Sequence, residues 1–307
     1  MPGTRAGEVY RLCLAWNWEY DADFAALLEQ ACRQQGVSLL QVTPHSLPDV
    51  SAALASGRLG YRALLDRASD SDTQFLQLVS WAREHSALRI NTYERARRSW
   101  NKATMHLEFL SAGLHVPHTI ILPPYTEQAD LLPYDLDILG PNFSIKPACR
   151  GGGEGVINCA TSWPEVLAAR QSYPSEPYLL QANIVPAHLN EHPAWFRIIS
   201  CAGRIYPCWW NVSTHVYQPV STAEEIAYNL SPLYHIVARI AAVCGLELFS
   251  TEIALTASGE FVAIDYVNDP LDLRLQSKAT DGVPDDIVRN IAERLATLAA
   301  GGHSAAP

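Results

Sequence analysis

Residues 250–269 read STEIALTASGEFVAIDYVND, and this stretch limits the architecture more firmly than any other. Two apolar runs of strand length flank Ala257-Ser258-Gly259, the composition of a hairpin turn, so they pair antiparallel. Glu252 on the first strand and Asp265 on the second lie at comparable distances from the turn and project side by side to one face. Ionised carboxylates are almost never fully buried without a positive partner, and two neighbours repel strongly at low effective dielectric. Two readings follow. A divalent cation lies between them, magnesium being the natural candidate because it takes oxygen from one or two carboxylates and completes its shell with nucleotide phosphates. Alternatively, one of the two faces solvent and pairs with a lysine or arginine.

The start of the chain demands a different sheet. VYRLCLAWNW has the β-formers of a strand, YDADFAALLEQACRQQG has apolar residues at helical spacing and stops at Gly36, and VSLLQVTP reads as a second strand. Strand, helix, strand is the unit of a parallel sheet covered by helices. LGYRALLDRASDSD adds a third strand and SDTQFLQLVSWAREHS a helix capped by Ser71 or Asp72, which closes a first unit at residues 1–90. A second unit, 91–185, contains a helix from Asn101 to Ala112 ending at Gly113, a strand stopped by Pro123 and Pro124, and the strands FSIKPA and PYLLQANIV. Beyond Pro186 long β-rich segments and the helix SPLYHIVARIAAVCGL make a third unit, 186–298, and the tail 299–307 reads as flexible.

IKPACRGGGEGV places Lys146 at the end of an apolar strand, followed by Gly151, Gly152, Gly153 and Gly155. Glycines let backbone N–H groups approach a phosphate and the lysine supplies charge to its oxygens, although the same pattern also suits a plain hairpin tip. The lysine precedes the glycines, so this is no Walker A loop.

Composition excludes several classes. Among 307 residues, 32 acids against 22 bases give a formal net charge of -10, which argues against a nucleic-acid or anionic-membrane partner. No apolar run approaches the about 18 residues of a spanning helix, and the start lacks a signal-peptide core, so the expected location is cytoplasmic. Seven cysteines at scattered positions, with no CxxC pair, read as reduced thiols.

Taken together, these residues resemble the ATP-grasp superfamily, nearest to its glutathione synthetase-like and RimK-like ligases, over residues 91 to 280. The implied fold is mixed α/β and α+β: an ATP-grasp fold preceded by a parallel α/β pre-ATP-grasp domain. The family's helical lysine ahead of a proline-rich strand entry matches Lys102, with Val116, Pro117 and Thr119. Its second lysine and phosphate loop match Lys146 and Gly151, Gly152, Gly153 and Gly155. The hinge strand that meets adenine matches Gln181, Ala182, Asn183 and Ile184, and an acid for the ribose matches Glu191. The arginine of a D-x-R strand matches Arg197, the acidic ligand Glu252, and the E-x-N pair Asp265 with Asn268. Trp195 stands where that first motif has aspartate, and Asp265 replaces glutamate. Asp265 and Asn268 are three apart rather than two, so either the strand bulges after Tyr266 or Asp269 takes the place of Asn268.

The resemblance implies ATP and one or two Mg2+ ions as cofactors. It also implies a ligase that phosphorylates a small-molecule carboxylate, an amino acid or peptide, and passes the acyl group to an amine. Arg197 and Arg274 are the candidates for stabilising the transferring phosphoryl group, with an ion pair to Asp272 or Asp269 as the rival role for Arg274. Asn17, Asn211 and His215 are candidates for the acceptor pocket, where at most one of Trp209 and Trp210 is expected to reach. A kinase acting on a hydroxyl and a nucleotide-binding regulatory protein are the alternatives. Dimers are common in the family, so a homodimer is one assembly it allows.

Overall fold

The structure, a computed structural model, describes residues 7–301. It opens with β1 (Glu8–Trp16), α1 (Ala22–Gln34), β2 (Leu39–Val42), α2 (Leu47–Ala55), β3 (Leu59–Arg67), α3 (Leu76–Glu84) and β4 (Leu88–Ile90). The four strands form one parallel sheet in the order β2-β1-β3-β4. Leu12 to Ala15 are wholly buried because helices cover both faces. Leu12 and Leu14 join one core with α1, while Cys13 and Ala15 join another with α2 and α3.

After α4 (Tyr93–Ser99) comes α5 (Lys102–Ser111), started by Asn101, whose Oδ1 accepts from Thr104 N at 3.0 Å. The second sheet follows: β5 (Thr119–Leu122), β6 (Phe143–Pro147), β7 (Ile157–Ala160) and, after α6 (Trp163–Ser172), β8 (Tyr178–Ala182). It is antiparallel in the order β5-β8-β6-β7, with α6 on one face.

A short ribbon of β9 (His188–Leu189) and β10 (His192–Pro193) precedes β11 (Trp195–Cys201), β12 (Arg204–Asn211), β13 (Val216–Pro219), α7 (Thr222–Ala227), α8 (Pro232–Cys244), β14 (Leu248–Leu255) and β15 (Phe261–Asn268). The third sheet runs β13-β12-β11-β14-β15, all antiparallel. α5 and α8 pack on one face of it. The other face meets the first unit: Ile199, Cys201, Cys208 and Trp210 share a core with Leu12, Phe24 and Leu28.

α9 (Asp285–Ala299) completes that core. Ile287, Val288, Ile291, Ala292, Leu295, Ala296 and Ala299 recur at helical spacing and are buried against α1. Of the tail expected from residue 299, Ala299 is therefore the buried end of a helix, while 302–307 lie outside the described residues. Among the described residues no helix is long and apolar enough to cross a membrane.

Candidate active site

The two strands of the opening hairpin place Glu252 directly opposite Asp265. The pairing then slips: Ser250 is opposite Asn268, so β15 carries one extra residue between Asp265 and Asn268. That bulge restores both side chains to one face, and Asn268 Nδ2 donates to Asp265 Oδ2 at 2.9 Å. Asp269 is engaged elsewhere. It accepts from Asn91 Nδ2 at 2.6 Å, and Asn91 Oδ1 in turn accepts from the backbone N–H groups of Glu247 and Leu248.

Positive groups converge on the carboxylates. Arg197 lies opposite Glu252 on the neighbouring strand, and its Nη1 donates to Oε1 at 2.9 Å. Trp195 Nε1 donates to the other oxygen, Oε2, at 3.0 Å, so this indole supplies a hydrogen bond to Glu252. Burial pushes the Glu252 carboxyl up and Asp265 adds to the rise, against the pull of Arg197, Trp195 and Lys146. Burial would also raise Asp265, but Lys102, Lys146, Arg197 and the Asn268 hydrogen bond outweigh it and hold that carboxyl below its ordinary value. Burial lowers Lys146, with Asp265 and Glu252 opposing the fall. Burial and charge thus push the two neighbouring carboxyls in opposite directions, a conflict that a divalent cation between them would relieve. Among the described residues no three acids, histidines or cysteines form a closed metal cage. Two carboxylates and an amide fit magnesium, which leaves the rest of its octahedron to water and phosphate.

The opposite wall comes from the second sheet and α5. Lys146 projects from β6, with Nζ 2.6 Å from Gln181 Oε1 on β8. Lys102, at the first turn of α5, donates from Nζ to the Arg150 carbonyl at the entry of the glycine loop. Gly151, Gly152, Gly153 and Gly155 are exposed there, and Gly155 has φ +71. A Cβ at Gly155 would lie 2.5 Å from the Tyr173 ring, so this turn of chain needs glycine on both counts. Arg150 lies over Tyr173 at 4.4 Å and donates to Glu176 at 2.8 Å, while Tyr173 donates to Glu154 at 2.7 Å. The loop is strapped at its base and open at its tip. At the hinge, Ala182 N–H already donates to the His118 carbonyl, and Asn183 accepts from Ser144 Oγ at 2.8 Å; Ile184 follows at the rim of a cavity.

The remaining candidates are spread more widely. Arg274 donates to Asp272 and Asp281 at 2.8 and 2.9 Å, so its acidic partner is Asp272 rather than Asp269. Asn17 donates to Ser71 Oγ at 2.9 Å on the rim of a cavity of about 390 Å³ that also meets Trp18, Asp21, Arg67, Asp70 and Asp272. Asn211 Oδ1 accepts from the N–H groups of Ser213 and Thr214, and His215 stacks on Trp210 at 5.5 Å. Glu191 is exposed in the β9–β10 turn.

A second cavity, about 760 Å³, is walled by Ile184, His192, Trp195, Trp209, Trp210 and Asn211 among others. Both tryptophans reach it, which corrects the expectation of one. They do point to opposite faces, into separate cores, but the cavity wraps the end of β12 and meets an edge of each.

Three features here escape sequence reasoning: the Gln181 side chain bound to Lys146, the Trp195 hydrogen bond to Glu252, and the buried pair Arg67–Asp21, 2.6 Å apart. Only the last carried a signal, an acid and a base at the ends of neighbouring apolar segments.

No protein-family model matches the chain, and no curated protein matches its sequence. Solved structures do. A RimK-domain ATP-grasp protein from Sphaerobacter thermophilus superposes with TM-score 0.62 at 20% identity, over 92% of this chain and 98% of that one. The ATP-grasp ligase PsnB, complexed with minimal precursor, Mg and ADP, gives 0.63 at 14% over 95% and 98%. The D-cycloserine synthetase DcsG gives 0.61 at 15% over 95% and 99%. At these identities the likeness establishes the fold: an ATP-grasp fold behind a parallel α/β unit.

Proposed function

We propose that this ATP-grasp chain is a magnesium-dependent ligase that activates a carboxylate with ATP and couples it to an amine. The observation that carries the reading is the facing pair Glu252 and Asp265, set between Arg197 on one side and Lys102 and Lys146 on the other. One polar cleft thus offers both a cation-binding wall and an anion-binding wall, the combination a Mg–ATP phosphate chain requires.

Glu252, Asp265 and Asn268 are the groups that would hold magnesium, which when bound neutralises the phosphate oxygens. Lys146 and Lys102 draw the phosphates toward the glycine loop, and that loop's tip is free to close and exclude water. Arg197, fixed by Glu252 and by Trp210 beneath its guanidinium at 4.8 Å, steadies charge on the phosphoryl group as a substrate carboxylate attacks it. The amine then displaces phosphate from the acyl phosphate. Ile184 and the backbone around it receive the base. Arg274 stands ready only through Asp272 and Asp281, which gives it a positioning role.

Two cavities suit two substrates. Asp70 and Asp272 in the smaller would attract a protonated amine, while the aromatic walls of the larger suit an uncharged apolar group on the carboxylate partner. PsnB, complexed with a precursor and ADP, and DcsG, a synthetase of a small molecule, make an amino-acid or peptide carboxylate the first substrate class to test. All seven cysteines are free, which supports a reducing, cytoplasmic location.

ADP release measured across pairs of amino acids and short peptides tests the reading. Turnover is expected only with a carboxylate and an amine present together, and Asp265→Ala should lower it at least about 100-fold, the scale of a lost charge-stabilising group. An unchanged rate in that variant would sink the metal assignment. Release driven by a polyol would point to a kinase, and tight ATP binding without ADP to a regulatory protein.

A further inference from the structure

Lys146 is held at the end of a buried hydrogen-bond chain. Its Nζ donates to Gln181 Oε1 at 2.6 Å, Gln181 Nε2 donates to Tyr266 Oη at 2.9 Å, and Tyr266 Oη pairs with His106 Nδ1 at 2.7 Å. Gln181, Tyr266 and His106 are 2%, 2% and 4% exposed, so water does not substitute for any of them. The Tyr266 ring is itself clamped, edge-on to Phe109 at 5.2 Å and beside His106 at 5.8 Å.

The chain has a fixed direction at its functional end. An ammonium only donates, so Gln181 must turn its oxygen to Lys146, and its amino group then faces Tyr266. The Tyr266 hydroxyl accepts that bond and keeps its own proton for His106 Nδ1 or for Thr119, whose hydroxyl adjoins it on β5. Burial lowers the His106 pKa, which favours the neutral ring that can accept such a proton. Remove the hydroxyl and the Gln181 amide loses the acceptor that orients it. A flip would then aim N–H at the ammonium. A lysine free in its pocket samples several rotamers, a freedom that this bond suppresses.

The path also crosses the fold. Lys146 and Gln181 belong to the sheet that carries the glycine loop, His106 to α5, and Tyr266 to β15. Tyr266 sits inside the very bulge that returns Asp265 and Asn268 to one face, and its side chain points away from them into the core.

We propose that Tyr266, Gln181 and His106 form a positioning chain that aims the Lys146 ammonium at the nucleotide phosphates and locks that aim to the bulged strand bearing Asp265 and Asn268. The inference rests on the reading of Lys146 as a phosphate contact.

Tyr266→Phe keeps the ring and deletes one hydroxyl. Dissociation constants for ATP and for adenosine, the latter by competition, separate aim from general damage. ATP is expected to weaken about 5- to 10-fold, the equivalent of one net hydrogen bond, with adenosine unchanged. His106→Leu, one link further from the lysine, should give the same selective loss at about 2- to 3-fold, so the outcome does not hang on one variant folding. Equal weakening of both ligands, or an unchanged ATP to adenosine ratio, overturns the proposal. Lys146→Met distinguishes the layers. If it shifts the ratio while Tyr266→Phe does not, the chain is wrong and the phosphate contact stands; if it leaves the ratio intact, the phosphate contact fails and the chain with it.

Discussion

Arg67→Met should cost this fold more than any exposed substitution. Arg67 donates from Nε and Nη2 to the two oxygens of Asp21, at 2.9 and 2.6 Å, and from Nη2 to the Leu271 carbonyl at 2.9 Å. The two side chains are 3% and 2% exposed. Methionine retains most of the packing over Phe24 but leaves a carboxylate that is only 2% exposed without a partner, beside the smaller cavity. Breaking a buried pair from one side costs about 3–5 kcal/mol, and an orphaned carbonyl about 1 kcal/mol more. The expected loss is therefore about 4–6 kcal/mol, a large part of the roughly 5–15 kcal/mol by which folded proteins are stable. Asp21→Leu alone should be costly for the same reason, since it strands the guanidinium. The double variant removes both charges and should recover all but the Leu271 contribution, for a coupling of at least about 3 kcal/mol. Urea unfolding followed by far-UV circular dichroism measures all four proteins. Additive losses, or a loss below about 1 kcal/mol for Arg67→Met, would refute the claim that this pair is a closed, mutually dependent unit.

Asp269 is pushed up to about 7, chiefly by burial, so the folded state holds its proton where the unfolded chain has released it. A raised carboxyl contributes stability below its unfolded value, near about 4, that is lost as pH rises toward 7. Asp269→Asn should flatten that slope and leave the variant the more stable protein at pH 8, as read by thermal melting; a parallel pH profile would contradict it. Gly155→Ala, at φ +71 and against Tyr173, should raise the KM for ATP several-fold with little change in melting temperature, because the strain falls in a loop rather than a core. Trp195→Phe keeps the ring but removes the N–H bonded to Glu252, so metal titration of ATP turnover should require more Mg2+, and an unchanged requirement would sever Trp195 from the site.

Much of this arrangement is legible in the chain, and its limits have physical causes. Turn chemistry and a side-chain period of two are local, so the hairpin and the facing pair Glu252 and Asp265 follow from twenty residues of sequence. The bulge beside them follows only as one of two alternatives, since the same spacing allows Asp269 to take the place of Asn268. Within the bulge Tyr266 meets His106 and Gln181, partners 160 and 85 residues away, which no local pattern announces. The periodic apolar face of α9 is visible in DDIVRNIAERLATLA, but nothing local says that it covers α1. Trp195 is legible only as a departure from a motif; its bond to Glu252 requires two strands in register.

The docking of α9 on α1 reaches beyond packing. Gln35 at the end of α1 donates to the Glu293 carbonyl of α9 across 258 residues of sequence, at 2.9 Å. A ribosome delivers the parallel sheet long before the helix that roofs one side of it. During that interval Phe24, Leu28 and their neighbours have only transient cover, and the parallel unit cannot reach its final state until α9 has emerged. A stall between the two helices would thus release a sheet with an open, adhesive side.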